Sequence, residues 1–329
     1  MLDPSAVLNA ISHWLERYPT AELIWGGGLE AQPSLLEQIS RLCPVRGSAL
    51  EAVRVLHDRA ALRAACMALG ISQPAESTTP GVGQWLRKRA GRAGGWHVSA
   101  WDDEMRAEDS ADDYYQRWTP GRCGSITLLV GATHSAVLGF NRLLTRGNHF
   151  KRDYRYLGAV GRLELTHSVR VECARLARAL AQHLGWRGLC GMDFIVQADE
   201  SFTFIDFNPR PVASAELHAS LGPAFASHLA ACRGAWIPLP RWPGVRAHCL
   251  VEAEGPIQIP NSLDWPDWVF DRPNPGQHFS AGEPVCTVHA ADSTEARCLA
   301  LLERRVGQLR ARLSTLHNIT SHSGSIHAD

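Results

Sequence analysis

Two apolar segments near the middle of the chain carry an alternating set of oxygen-bearing side chains. Residues 191–197 and 202–208 are separated by Ala198-Asp199-Glu200-Ser201, which reads as the turn of a β-hairpin. A turn centred on Asp199-Glu200 sets Asp193 directly opposite Asp206. Because side chains alternate along a strand, Asn208 shares the face of Asp206, while Ile205 and Phe207 point to the other side. Opposed carboxylates destabilise a sheet by up to ~1 kcal/mol, and a hard divalent cation, Mg²⁺ or Mn²⁺, is the natural compensation. A solvated polar face is the competing reading, since the register of such a hairpin is not forced. Pro209-Arg210-Pro211 follows at once and sets a permanently charged guanidinium beside the three oxygens, as phosphoryl transfer requires.

A second set of residues is basic. Lys and Arg together number 33 and are balanced by 33 Asp and Glu, yet only Lys88 and Lys151 are lysine. An arginine-rich chain that keeps two lysines keeps them by chance or where a compact ammonium is needed. Lys88 ends the short strand Trp85-Leu86-Arg87-Lys88, and the glycine-rich stretch with Gly91, Gly94 and Gly95 follows it. A lysine supplies a point charge to phosphates, and glycines let backbone N–H groups approach phosphate oxygens. An ordinary glycine-containing hairpin has the same composition.

The elements that must position these groups fall into three parts. Residues 1–75 read as an α/β unit. Its first helix places Val7, Ile11, Trp14 and Leu15 on one face, and Leu23-Ile24-Trp25 is a strand running into Gly26-Gly27-Gly28. A helix with Leu35, Leu36, Ile39 and Leu42 and a strand from Val45 complete a small parallel sheet. Asp58 then caps a helix containing Leu62, Cys66 and Leu69 that Gly70 stops. Glu30 follows the glycines at the end of the first strand, where it reads either as a receiver of a substrate ammonium or as a carboxylate at a helix start. Residues 73–83, rich in Pro, Ser, Thr and Gly, read as a linker.

Residues 76–240 carry short strands near 85–88, 97–100, 126–130 and 137–140, then a long helix from about Val169 to Leu184 stopped by Gly185, then the hairpin. Residues 241–320 hold strands near Cys249–Ala253 and Val285–Ala290 and a final helix from about Ser293 to Leu313. The polar tail 321–329 is expected to be disordered.

Taken in order, Gly191-Met192-Asp193-Phe194 and Phe204-Ile205-Asp206-Phe207-Asn208-Pro209-Arg210 resemble the metal-binding signature of ATP-grasp enzymes, with aspartate at 206 where the usual form has glutamate. The segment from Trp85 to Gly95 resembles the strand lysine and flexible glycine loop of the same superfamily. Tyr115-Gln116-Arg117-Trp118-Thr119-Pro120-Gly121 is similar to the hinge that passes adenine in a branch of predicted carboxylate-amine ligases, many of which carry glutamate where Arg117 stands. Segments 271–276 and 282–288 are similar to a small β-rich extension in that branch.

The resemblance covers about residues 20–290 and implies an α/β (α+β) ATP-grasp fold, with an N-terminal α/β domain and a C-terminal β-rich extension. It implies that ATP and Mg²⁺ or Mn²⁺ are bound. Asp193, Asp206 and Asn208 would hold metal, and Arg210 would contact the transferring phosphate. Lys88, Gly91, Gly94 and Gly95 would hold phosphates, while Gln116, Arg117 and Trp118 would lie along adenine, mainly through backbone groups. Lys151 reads equally as part of a loop closing over the γ-phosphate or as a solvated turn. The implied activity is joining of a small-molecule carboxylate to an amine through an acyl phosphate, releasing ADP and phosphate. The alternative is a nucleotide-binding protein without turnover. A homodimer is compatible with either.

Composition excludes other classes. The balanced charge leaves no nucleic-acid or anionic-membrane footprint. No apolar run approaches the ~20 residues of a membrane-spanning helix, and no basic-then-apolar leader opens the sequence. Nine cysteines without a Cys-x-x-Cys pair or zinc-like spacing read as reduced thiols in a cytoplasmic protein.

Overall fold

A computed structural model describes residues 2–322 apart from 91, 93, 102–109, 111, 148, 152, 240 and 241. The N-terminal unit contains α1 (Pro4–Arg17), β1 (Leu23–Ile24), α2 (Pro33–Leu42), β2 (Val45–Arg46), α3 (Leu50–His57) and α4 (Arg59–Ala68). β1 and β2 pair in parallel, as a strand, helix, strand order requires. Asp58 Oδ1 accepts a hydrogen bond from Ala61 N and so caps α4, and Gly70 ends the turn beyond it at a positive φ of 71°. The face of α1 differs from the expected one. Val7, Leu8, Ile11 and Leu15 pack inward, whereas Trp14 is 59% exposed and stacks on Tyr18 instead. Leu42, expected on the inner face of α2, is also exposed.

The chain then builds a four-stranded sheet from β3 (Glu76–Ser77), β4 (Trp85–Arg89), β5 (Ser99–Ala100) and β6 (Asp113–Arg117), in the order β3-β6-β4-β5. The expected linker therefore contains a strand, β3, whose Glu76 pairs opposite Gln116.

Eight strands form the main sheet, in the order β11-β10-β7-β8-β9-β12-β16-β14. In sequence they and their neighbours are β7 (Arg122–Val130), β8 (Ser135–Leu144), β9 (Gly158–Gly161), α5 (His167–His183), β10 (Gly188–Val196), β11 (Phe202–Asn208), α6 (Leu221–Cys232), β12 (Val245–Glu252), β13 (Ile257–Gln258), β14 (Val269–Phe270), β15 (His278–Phe279), β16 (Pro284–Asp292) and α7 (Glu295–His322). The strands after residue 240 continue this sheet through the pairing of β12 with β9; only β13 and β15 stand apart as a two-stranded pair. Ser321 and His322, expected in a disordered tail, close α7, and residues 323–329 lie outside the described residues.

Alternation along β7 and β10 decides what faces what. Ile126, Leu128 and Val130 with Cys190, Met192, Phe194 and Val196 enter a core covered by Leu62 and Cys66 of α4 and by Cys173, Leu176 and Leu180 of α5. The opposite face carries Leu129 and Leu189, which α6 covers through Ala224 and Ala231. Further along that face the covering helix ends, and Ser125, Asp193 and Ile195 line an open cleft. Phe194 is fully buried and meets Phe140, Phe202 and Phe204 edge-on, so the residue after Asp193 anchors it in the core. Phe194→Ala is expected to destabilise the protein by about 3–5 kcal/mol, while Trp14→Ala changes stability by less than about 0.5 kcal/mol. Chemical denaturation of both variants checks this, and equal losses would overturn the placement of the core.

Candidate ligand and metal site

The cleft lies between the four-stranded sheet and the main sheet and has a volume of ≈ 390 Å³, within the range of small-molecule sites. β4 and β6 line one wall, and β7, β10 and β11 line the other.

Its floor is the hairpin. Asp193 does sit opposite Asp206, but not because of the turn alone. From the turn outward the pairs are Val196 with Phe202, Ile195 with Thr203 and Phe194 with Phe204, and this register would carry Asp193 opposite Ile205. A bulge at Ile205 takes up one residue and restores Asp206 as the partner. The expected strict alternation therefore fails at Ile205, which lines the cleft beside Asp206. The bulge also turns out a carbonyl, and Lys88 Nζ donates to Ile205 O at 3.3 Å.

Lys88 is itself held. It is buried, and its Nζ donates to Gln116 Oε1 at 3.1 Å, while Gln116 Nε2 donates to Glu76 Oε1 at 3.0 Å. Glu76 in turn pairs with Arg59. Both acceptors recorded for Lys88 are neutral, so its charge remains directed at the cleft. The Glu76 and Arg59 supports escaped the sequence reading because they come from the presumed linker and from the helix before it.

Burial pushes the Asp193 carboxyl up from its ordinary 3.8 to about 8, the facing Asp206 adds to the rise, and Arg210 and Lys88 oppose it. A buried carboxyl that faces a second acidic side chain in this way fits a divalent cation, which would replace the Asp193 proton and relieve the repulsion. The donors are all hard oxygens, as Mg²⁺ prefers. Asn208 turns its Nδ2 toward Asp206 Oδ2 at 3.2 Å, and its Oδ1 accepts from Arg210 Nη2 at 2.9 Å. A metal at Asn208 would therefore compete with Arg210 for that oxygen.

Other expected residues fall differently. Glu30 is not open to a substrate ammonium. Its Oε1 accepts from Arg210 Nε at 2.6 Å and its Oε2 from Gly28 N at 2.6 Å, so a guanidinium of the same chain occupies it. The physical cause is the one-turn 3-10 helix Leu29–Ala31, whose first free N–H comes from Gly28. Gln116, Arg117 and Trp118 line the cleft, but β6 is an interior strand, and the amides of Arg117 and Trp118 already donate to Ala75 O and Gln84 O. A ligand there meets side chains rather than those two donors. Gly94 and Gly95 line the cleft as well. Gly95 has φ +77°, and a Cβ there would come within 2.0 Å of Tyr154 O, so only glycine allows this approach. Gly91 lies outside the described residues. Lys151 is exposed on the turn at 149–151 and does not line the cleft.

A buried polar cluster under the floor was not foreseen. Asn141 Nδ2 donates to Ser125 Oγ and Thr127 Oγ1, both at 3.1 Å, its Oδ1 lies 2.7 Å from His218 Nε2, and Thr127 Oγ1 lies 2.9 Å from Ser214 Oγ. The cluster ties β7 and β8 to the 3-10 helix Ala213–Leu217 that follows Arg210. Burial pushes the His218 imidazole down to about 4, so it is neutral at neutral pH and the cluster carries no net charge.

The raised Asp193 sets a pH dependence. Between about 4 and about 8 the folded chain keeps a proton that the unfolded chain has released, so this group's contribution to stability falls as pH rises through that window. Mg²⁺ must displace the proton below the upper limit and need not above it. Melting temperatures should therefore rise more on Mg²⁺ addition near pH 9 than near pH 6, and Asp193→Asn should abolish the difference. A Mg²⁺ effect independent of pH would overturn the metal assignment.

A family described as an ATP-grasp domain matches residues 56–214, which span α4, the four-stranded sheet, the hairpin and Arg210. Comparison of the sequence with curated proteins gives no match. Among solved structures, one similar chain is the biotin carboxylase domain of 2-oxoglutarate carboxylase from Hydrogenobacter thermophilus, a dimer in complex with MgADP, ADP and bicarbonate. The identity is 13%, with 90% of this chain and 76% of that one covered at a TM-score of 0.72. Carboxyaminoimidazole ribonucleotide synthase from Aspergillus clavatus, complexed with ATP, is similar at 12% identity, covering 86% and 80% with a TM-score of 0.67. L-amino acid ligase from Bacillus licheniformis is similar at 11% identity, covering 93% and 84% with a TM-score of 0.68. Likeness at these identities is likeness of fold. Residues 56–214 thus match an ATP-grasp domain, and the chain as a whole shares the fold of these ATP-grasp structures.

Proposed function

We propose that this chain is an ATP-dependent ligase that activates a small-molecule carboxylate as an acyl phosphate and joins it to an amine, releasing ADP and phosphate. The observation that carries the reading is the meeting of Asp193, Asp206, Lys88 and Arg210 in one cleft from two facing sheets. Asp193 and Asp206 would hold Mg²⁺, which would neutralise and orient the phosphates of ATP. Lys88, fixed by Gln116 and by the bulge carbonyl, presents its charge from the opposite wall. Arg210 stands at the hairpin end, where a guanidinium can follow negative charge from the terminal phosphate to the attacking carboxylate. No protein nucleophile is needed, because positioning and charge stabilisation suffice. The similar structures bound to ATP, MgADP and bicarbonate, and the amino acid ligase among them, agree with this chemistry.

The test is a screen of carboxylate and amine pairs for ADP release, followed by oxygen labelling of the active acid. The acyl phosphate keeps one carboxylate oxygen when the amine displaces it, so the label must appear in phosphate. Release of AMP, or unlabelled phosphate, would overturn the mechanism. Asp206→Asn should lower turnover by about 100-fold or more. Lys88→Met, measured by calorimetry, should weaken ATP binding by roughly 10- to 100-fold, as loss of a charge-assisted contact does. Tight ATP binding without turnover on any pair would favour a non-catalytic nucleotide-binding protein.

A further inference from the structure

Behind the cleft, three side chains from distant parts of the sequence converge. Glu216 belongs to the 3-10 helix Ala213–Leu217, His248 to β12 and His289 to β16. One carboxylate oxygen and one nitrogen from each ring all lie within 4.8 Å of one another. His248 Nδ1 is 2.6 Å and His289 Nε2 is 3.3 Å from the same oxygen, Glu216 Oε1. Neither nitrogen makes a directed hydrogen bond, and both atoms are buried. His248 as a whole is 1% exposed. Two buried imidazole nitrogens without an aligned hydrogen bond, both close to one carboxylate oxygen, leave a place for a shared partner at their focus.

We propose that Glu216, His248 and His289 form a binding site for a divalent transition metal of the zinc class, separate from the Asp193 and Asp206 site. Two imidazoles and one carboxylate are donors that suit Zn²⁺ and its neighbours rather than Mg²⁺. Three protein ligands leave a further coordination position, and Glu216 and His289, with side chains 21% and 24% exposed, leave water a path to it. The outer contact of His248 fits the same role. Its Nε2 lies 2.6 Å from Tyr156 Oη, so with the proton on Nε2 donated to the tyrosine, Nδ1 keeps its lone pair for metal. Tyr156 lines the cleft, so the proposed ion would be one hydrogen-bonded side chain removed from bound ligand. The ion would also tie the segment after Arg210 to two strands of the C-terminal part.

The test uses the full chain, stripped with a chelator and free of nucleotide. Zn²⁺ is titrated in competition with a chromophoric chelator, and Co²⁺ binding is followed by its visible absorption. One equivalent should bind to the parent and equally to Asp206→Asn. His248→Gln and His289→Gln should each lose at least about 100-fold in affinity, and Tyr156→Phe about 10-fold, the range expected for an outer contact. Thermal melts without metal confirm that the variants fold, and Zn²⁺ should raise the melting temperature of the parent but not of His289→Gln. No stoichiometric binding to the parent, binding that survives both histidine replacements, or a loss as large in Asp206→Asn would each overturn the proposal.

Discussion

The forced approach of two carboxylates, Asp193 and Asp206, is the constraint on which the rest of the cleft depends. A flat hairpin would not produce it, because the pairs nearer the turn point Asp193 at Ile205. One bulged residue corrects the register at the point where the two acidic groups must meet, and the cost of bringing them together is held by the core on the other face. Phe194 and Phe204 flank the pair and are fully buried among aromatic neighbours. Burial of these rings makes a register slip costly, since a slip by one residue would exchange the aromatic face for the acidic one.

The same bulge connects the two sheets. Its carbonyl, turned out of the ladder, accepts from Lys88, and Lys88 leads through Gln116 and Glu76 to Arg59 on α4. The chain of contacts thus runs from the hairpin across the cleft to the family domain's first helix. Each member is satisfied by a neighbour of opposite or neutral character, which fixes a buried lysine without spending its charge on a carboxylate. A buried ammonium held only by neutral oxygens is poised for an anion, whereas one paired to a carboxylate would first have to leave it.

How much was readable in the sequence follows the range of the interactions involved. The α4 cap at Asp58, the stops at Gly70 and Gly185, the long helix before the hairpin and the hairpin itself are encoded within a few residues, and the structure contains them. The opposition of Asp193 and Asp206 was also anticipated, but from a turn placed half a residue off and without the bulge that produces it. What escaped depends on long-range pairing. Glu30 and Arg210 are 180 residues apart, and no local pattern announces that one neutralises the other. Glu216, His248 and His289 show no short spacing because three separate elements supply them. Trp14 misled because helical period shows which residues share a face, and only the packing of α1 on its neighbours shows where that face ends.

Arg210 links these observations into one statement about how the site changes on binding. Its guanidinium is divided between Glu30 of the N-terminal unit and Asn208 of the hairpin. A cation drawing on Asn208 Oδ1 would compete with Arg210 for that oxygen, and an anion would compete with Asn208 for the guanidinium. Metal and anion therefore favour the same rearrangement: the cation takes Asn208 Oδ1, and the anion takes the guanidinium that is released. Glu30 would keep hold of Nε through that change, so Arg210 would pivot about a fixed point rather than swing free. The N-terminal unit would then act as the bearing for the Arg210 guanidinium, and the Glu30 carboxylate, which the sequence alone allows as a substrate receiver, would instead limit where that charge can go.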